Sequence, residues 1–257
     1  MPPHSLSLAT RTEMAERPPD LVVIPVGALE QHGPHLPVGT DTFQVEAIAH
    51  LAAERADGRR VVVAPPVAFG CSDHHLPFGG TLSFSTSTLL AVLRDLIRTA
   101  TASGFERVFI LNGHGGNQEV VVLAARDGAQ EFGIAVGAGS WWEIARAALV
   151  DAGAADGALM PGHAGGFETA MMSAILDRGF DHLPPPSTAF GAKDPRSPGA
   201  AYRTERPTGW SDTDGYTDDP AVFDGADGAR FLDIAATTVG ESLARFVRDT
   251  PIETTGA

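Results

Sequence analysis

Leu21-Val22-Val23-Ile24-Pro25-Val26-Gly27 is an unbroken apolar run closed by a glycine, and it reads as a short strand buried on both faces. Comparable runs stand at Arg60 to Pro65, at Arg107-Val108-Phe109-Ile110-Leu111 and at Ile134-Ala135-Val136-Gly137. Between them the period lengthens. Leu89, Leu93, Leu96 and Ile97 form one stripe, Arg94, Asp95 and Arg98 point elsewhere, and Gly104 stands where a helix would stop. Thr42 to Asp57 and Gln118 to Phe132 read the same way. A final amphipathic stretch carries Phe231, Ala235, Val239, Ser242 or Leu243, and Phe246. Strands alternating with helices of this length predict an α/β fold, with a mainly parallel central sheet flanked by helices on both faces.

At 257 residues with 43% hydrophobic content, the chain has the material for one well-filled core, so we expect a single layered domain over residues 1–257. Residues 1–20, rich in Pro and Glu, are expected to be a poorly ordered or peripheral arm. Residues 184–229, rich in Pro, Gly and Asp, are expected to be an irregular excursion. The net charge of −14 and the absence of any Lys/Arg run exclude a nucleic-acid partner. No segment has the length and apolarity of a signal peptide or membrane span, so no membrane partner is expected. Cys71 is the single cysteine, which forbids an internal disulfide and fits a cytoplasmic location.

Open parallel sheets carry their chemistry where strands run into helices. The turn after the first strand reads Glu30-Gln31-His32-Gly33-Pro34-His35-Leu36-Pro37, with Asp41 just before a helix. Glu30 and His32 fall on one side of an extended chain. The turn after the third strand is Asn112-Gly113-His114-Gly115-Gly116-Asn117, and a third, Gly162-His163-Ala164-Gly165-Gly166-Phe167-Glu168-Thr169, again leads into a helix. Carboxylates with imidazoles suit zinc, manganese or iron, whereas the lack of cysteine excludes a thiolate site. Taken singly, each residue reads more readily as an ordinary solvated loop side chain, and Glu168 as a carboxylate complementing a helix start. What favours a metal site is that three turns on one sheet edge each present a histidine. A phosphate cradle at residues 112–117 is the weaker alternative, because Ala138-Gly139-Ser140 lacks the acidic residue a dinucleotide site would need.

In order and spacing these motifs resemble the creatininase family. Lesser stretches agree: His75 with Phe78-Gly79-Gly80-Thr81, and Trp210-Ser211 with Asp219-Pro220 and Gly228. The resemblance implies a metal-dependent amidohydrolase cleaving an amide, cyclic amide or formamide bond of a small polar molecule. It also allows a small-peptide peptidase or a carbocycle ring hydrolase. By the same resemblance Glu30, His32, Asp41 and His114 are metal ligands, with Asp41 bridging two divalent ions. The family's further glutamate is Gly116 here, and we infer that Glu168 supplies that carboxylate. His163 matches the proton-transferring histidine and acts with Glu168 in catalysis. Trp142 resembles a substrate-covering aromatic, although a core or interface role fits it equally. His75 and His35 are read as substrate contacts or supports behind the ligands, and Asn112 and Asn117 as further supports. His50, His74 and His182 lie in no matching motif and read as ordinary histidines. Cys71 has no neighbour that would activate it as a nucleophile. A homo-oligomer, a hexamer by resemblance, is implied. The rival of another class is a catalytically silent protein that binds a small ligand.

Overall fold

The computed structural model describes residues 4–187 and 214–252. Residues 188–213 of the anticipated excursion, Trp210 and Ser211 among them, lie outside the described residues. In chain order the elements are α1 (Arg11–Glu16), β1 (Leu21–Val26), α2 (Thr40–Glu54), β2 (Val61–Val63), α3 (Thr86–Ala102), β3 (Arg107–Asn112), α4 (Gln118–Phe132), β4 (Ala135–Ser140), α5 (Trp141–Ile144), α6 (Arg146–Asp151), α7 (Gly166–Leu176) and α8 (Gly225–Asp249). Among the described residues the four strands form one sheet in the order β2-β1-β3-β4, and every pairing is parallel.

Strand alternation sorts the sheet into two cores. Leu21, Val23, Val61, Val63, Phe109 and Leu111 face α2, α7 and α8, where they meet Ile48, Phe167, Met171, Phe231 and Leu243. Val22, Ile24, Val26, Val62, Val108 and Ile110 face α3 and α4, against Leu89, Leu93, Ile97 and Val121. The first strand is therefore covered on both sides, as its unbroken apolar run requires. Pro25 is tolerated in β1 because its carbonyl points to the β2 side, accepting from Val67 N–H. The missing donor faces that same side, beyond the end of β2 at Val63, where Pro65 and Pro66 have already stopped the strand.

Several boundaries differ from the sequence pattern. β4 starts one residue later than read and continues to Ser140. Its glycines are poor strand formers, but a Cβ on Gly137 would come within 2.7 Å of the Phe109 ring and 3.1 Å of the Phe246 ring. Bulk supplied by neighbours thus replaces side chains on the strand itself. α2 starts at Thr40, which puts Asp41 inside the first turn, where its charge complements the helix dipole. α8 starts at Gly225, capped by Asp224 through the Ala226 and Asp227 amides at 2.8 and 3.0 Å, so the excursion ends before Ala229. On α8 the buried choice is Leu243 rather than Ser242.

The amino-terminal arm is peripheral and carries regular structure. A 3-10 turn at Leu6–Leu8 precedes α1, whose start is held by a reciprocal Thr10–Glu13 capping box. Ser5 bridges to Val63 in parallel, and Val63 N–H donates to the His4 carbonyl at 2.8 Å. Leu6 and Met14 pack against the second core. No helix among the described residues is long and apolar enough to cross a membrane.

Candidate metal centre

Because all strands are parallel, the turns after β1 and β3 open on the same sheet edge, and α7 brings its first turn to that edge. The 28–38 loop is pinned by Glu30 N–H to the Val38 carbonyl and by Leu82 N–H to the Leu29 carbonyl, each 2.9 Å. Glu30 and His32 are wholly buried. His32 Nδ1 lies 3.1 Å from the Glu30 carbonyl, so it acts as the donor there and leaves Nε2 to face the site. Nε2 is 3.3 Å from Asp41 Oδ1 and 3.9 Å from Glu168 Oε2.

On the other side of Asp41, Oδ2 lies 3.0 Å from His114 Nδ1, while His114 Nε2 is 3.3 Å from Glu30 Oε2. His114 Nε2 is also 3.2 Å from the Cys71 carbonyl, a partner that accepts its proton and frees Nδ1. Asn112 grips the His114 backbone at both ends, accepting from its N–H at 3.1 Å and donating to its carbonyl at 2.8 Å. Asn117 accepts from Cys71 N–H at 2.9 Å and donates to the Gly27 carbonyl at 3.0 Å, tying the 71–72 stretch to the β1 turn.

The five residues read as ligands thus converge. Glu30, His32 and Asp41 form one group with ligand atoms within 4.8 Å of one another, and His32, His163 and Glu168 form another. Glu30 Oε1 and Oε2, His32 Nε2 and Asp41 Oδ2 are buried without a well-aligned hydrogen bond. Buried polar atoms are rarely left so, and a cluster of them facing one point is what a cation site requires. The donor set, carboxylate oxygens and imidazole nitrogens, fits a divalent metal.

The electrostatics agree. Burial pushes the Glu30 and Glu168 carboxyls up to about 7. For His32 and His114 burial works in the opposite direction, but the carboxylates around them prevail and raise these imidazoles to about 10 and about 9. Asp41 is also buried, yet His32 and His114 hold it well below the ordinary carboxylate range. The pocket therefore attracts positive charge.

His163 is buried with its ring centroid 4.4 Å from that of His32 and Nδ1 3.6 Å from Glu30 Oε1. Burial, followed by the neighbouring imidazoles, keeps it neutral, well below the usual histidine value. His75 stacks on it at 4.3 Å and sets Nε2 3.5 Å from Glu30 Oε1. It belongs to the buried wall of the cluster. His35 lies further back, with Nε2 3.0 Å from Thr169 Oγ1 beside Glu168. Burial, and then the charge of His32, lowers its pKa to about 4. Trp142 is 5% exposed, edge-to-face with Trp141 in the first core, which is the core placement its sequence reading allowed.

Two members of the cluster carry no role in the sequence reading. His74 forms a ligand-type group with Glu30 and His114, and its ring stacks on His114 at 5.6 Å. The adjacent pair His74-His75, on a 3-10 turn at Asp73–Phe78, was the available signal. Gln31 is the other, its amide nitrogen 2.9 Å from both His75 Nδ1 and His163 Nε2. Its oxygen accepts from Gly33 N–H at 2.9 Å, which fixes the amide's orientation. Gly116 explains why the further carboxylate is elsewhere. A Cβ there would overlap the Cys71 carbonyl and come within 2.6 Å of His114 Nε2.

Comparison with known proteins follows the same line. The mycofactocin precursor peptide peptidase of Mycolicibacterium smegmatis is 42% identical over 126 residues, 48% of this chain and 50% of that protein. The chain thus spans about half the length of that relative. The creatinine amidohydrolase of Pseudomonas putida is 32% identical over 205 residues, 69% of this chain and 76% of that protein. A Zn–Zn type creatininase mutant superposes with a TM-score of 0.77 at 22% identity, covering 96% of this chain and 98% of that one, a likeness of fold. The family profile described as creatininase, creatinine amidohydrolase, matches residues 7–243, and the chain belongs to the creatininase family.

Proposed function

We propose that this protein is a metal-dependent amidohydrolase that adds water across a carbon–nitrogen bond of a small polar substrate. The observation that carries the reading is the convergence of Glu30, His32, Asp41, His114 and Glu168, with Glu30 Oε1 and Oε2, His32 Nε2 and Asp41 Oδ2 buried without a well-aligned hydrogen bond. On this reading Glu30, Asp41 and His114 would hold one divalent ion and His32 and Glu168, with Asp41, would hold a second. Zinc, manganese and iron all suit these donors, and the structural relatives include both a Zn–Zn and a Mn form. When bound, such ions supply Lewis acidity and a water ionised near neutral pH.

The chain's own residues do the rest. His163, held neutral among imidazoles, presents Nδ1 towards the ligand carboxylates and serves to carry a proton to the departing nitrogen. In hydrolysis the carbonyl carbon gains the hydroxyl and the nitrogen gains the hydrogen, so an amine leaves neutral. Gln31 steadies the His163 ring at Nε2. His75, itself buried, forms one wall of the site.

A second reading within the class, trimming of a short peptide, is favoured by the identity to the peptide peptidase. A homo-oligomer remains our inference, supported by the exposed apolar side chains Val38, Phe43, Leu76 and Leu82 near the 28–38 and 70–84 loops. A cytoplasmic location accords with the single free cysteine.

The test is metal analysis of the purified protein, followed by product detection across creatinine, other cyclic amides, formamides and short peptides, with and without a chelator. Metal-dependent turnover of any of these supports the proposal. Ligand-induced thermal shifts without product across the whole panel would replace it with a silent binder.

A further inference from the structure

We infer that Thr217 and Asp218 form a positioning strap that sets His163 and Glu168 relative to one another. The roles of those two residues rest on the amidohydrolase reading, whereas the strap itself rests on hydrogen bonds. The turn it holds is an unusual one. Gly162 has φ +71° and Ala164 has φ 47°, and alanine adopts that left-handed conformation only where surrounding contacts hold it.

Thr217 pairs with His163 at both backbone ends. Its N–H donates to the His163 carbonyl at 2.9 Å, and its Oγ1 accepts from His163 N–H at 3.0 Å. The hydroxyl proton then goes to Asp218 Oδ2 at 2.7 Å, closer than the alternative acceptor, the His163 carbonyl, at 3.3 Å. Asp218 Oδ1 in turn accepts from Gly166 N–H at 2.8 Å, the first residue of α7, and Oδ2 accepts from Leu159 N–H at 3.4 Å. The carboxylate packs directly onto the turn, since a Cβ on Gly165 would overlap both of its oxygens.

The chain of bonds therefore runs from the His163 backbone through Thr217 and Asp218 to the helix start whose first turn carries Glu168. Glu168 Oε2 also accepts from Ala164 N–H, inside the same turn. Every partner of the Asp218 carboxylate is a donor. An amide in its place has to aim its own N–H₂ at one of them, which makes Asp218→Asn a small change in shape with a specific loss. A shift of the helix start changes the His32–Glu168 approach but leaves Glu30, Asp41 and His114, which other elements hold, where they are.

The experiment titrates zinc chloride into full-length Asp218→Asn, Thr217→Val and Thr217→Ser proteins after chelator treatment, and records cobalt(II) absorption as a second readout. We expect Asp218→Asn and Thr217→Val to weaken one of two zinc-binding events by about 10–100-fold, the usual effect of losing a partner behind a ligand, and to leave the other within about twofold. The cobalt spectrum should change for the weakened site only, and Thr217→Ser, which keeps the hydroxyl, should match the parent. The strap is overturned if both zinc affinities and the cobalt spectrum stay at parental values in the variants that fold, or if both events weaken equally. Should Asp218→Asn fail to fold, Thr217→Val carries the same test. A protein that binds zinc in this pattern but hydrolyses nothing would sink the amidohydrolase proposal and leave the strap standing.

Discussion

Asp41 Oδ2 and His114 Nδ1 stand 3.0 Å apart, although one residue belongs to the first turn of α2 and the other follows the end of β3. Adjacent parallel strands make this meeting inevitable, since β1 and β3 end at the same edge and each hands its turn to a helix there. With His32 Nε2 3.3 Å from its other oxygen, Asp41 lies between His32 and His114, as the proposed sharing of two ions requires. Asp41→Asn keeps the shape and removes the charge. Zinc affinity in titrations of chelator-treated protein should fall by more than the roughly 10–100-fold typical of a supporting residue, for both ions, and metal content by inductively coupled plasma mass spectrometry should fall with it. Full retention of metal would end the two-ion assignment.

Loading should release protons. The folded pKa values of His32 and His114, about 10 and about 9, lie above the ordinary 6.5, and those of Glu30 and Glu168, about 7, lie above 4.5. A raised folded pKa contributes stability that is complete below the unfolded value and fades as pH climbs through the folded one. Metal-free protein should therefore melt higher at pH 6 than at pH 9, provided the chelator is in excess. Metal must displace those protons, so apparent zinc affinity should rise with pH over the same interval. Calorimetry at pH 7 in buffers of different ionisation enthalpy measures the proton count, and a heat independent of buffer would contradict the scheme.

Moving the carboxylate back to position 116 should fail. The overlap of any Cβ there with the Cys71 carbonyl leaves no path for a longer side chain without displacing His114. In a Glu168→Ala background, Gly116→Glu should restore neither metal stoichiometry nor activity. Recovery of the second ion would show that the 71–72 stretch yields more readily than its hydrogen bonds to Asn117 and Ser83 imply.

Phe231 anchors α8 between Phe167, at 5.5 Å, and Phe223, at 5.2 Å, and is wholly buried. Phe231→Ala should cost about 3–5 kcal/mol in urea unfolding, through lost burial and a cavity. Metal affinity measured well below the midpoint should stay near the parental value, because no ligand rides on α8.

Gly113→Ala tests the close approach that seats Asp41. A Cβ at that position would lie 2.7 Å from Val45 Cβ and 2.9 Å from the Asp41 carbonyl. Either α2 backs away or the turn shifts, with an expected loss of roughly 1–3 kcal/mol for overpacking and a weaker metal site. Unchanged values for both would mean that the α2–β3 contact is slack.

Much of this architecture is legible in local pattern. β1, β3 and α4 follow from apolar runs and a clean helical period, and the parallel sheet follows from their alternation. That alone brings Glu30, His32, Asp41 and His114 to one edge. β4 runs past Gly137 to Ser140 because Gly139 borrows its bulk from Ile144, a tertiary fact with no local trace. His74 and Gln31 are missed for a similar reason, since the path of the 70–84 loop depends on long-range bonds such as Phe84 N–H to the Gly70 carbonyl and Gln31 N–H to Thr81 Oγ1. Trp142 reads from its neighbours in sequence equally as a pocket or a core aromatic, and the turn of α5 directs it into the core. The Thr217–Asp218 strap joins segments that share no periodicity.

The docking of Ser5 along Val63 bears on how the molecule behaves in company. β2 is the outermost strand on its side, and an outermost strand offers unused donors and acceptors to any passing chain. By laying His4 and Ser5 over that rim, the arm spends those groups internally and denies them to a neighbour's sheet. A stretch that looks dispensable for chemistry thereby guards the protein against fibrous self-association.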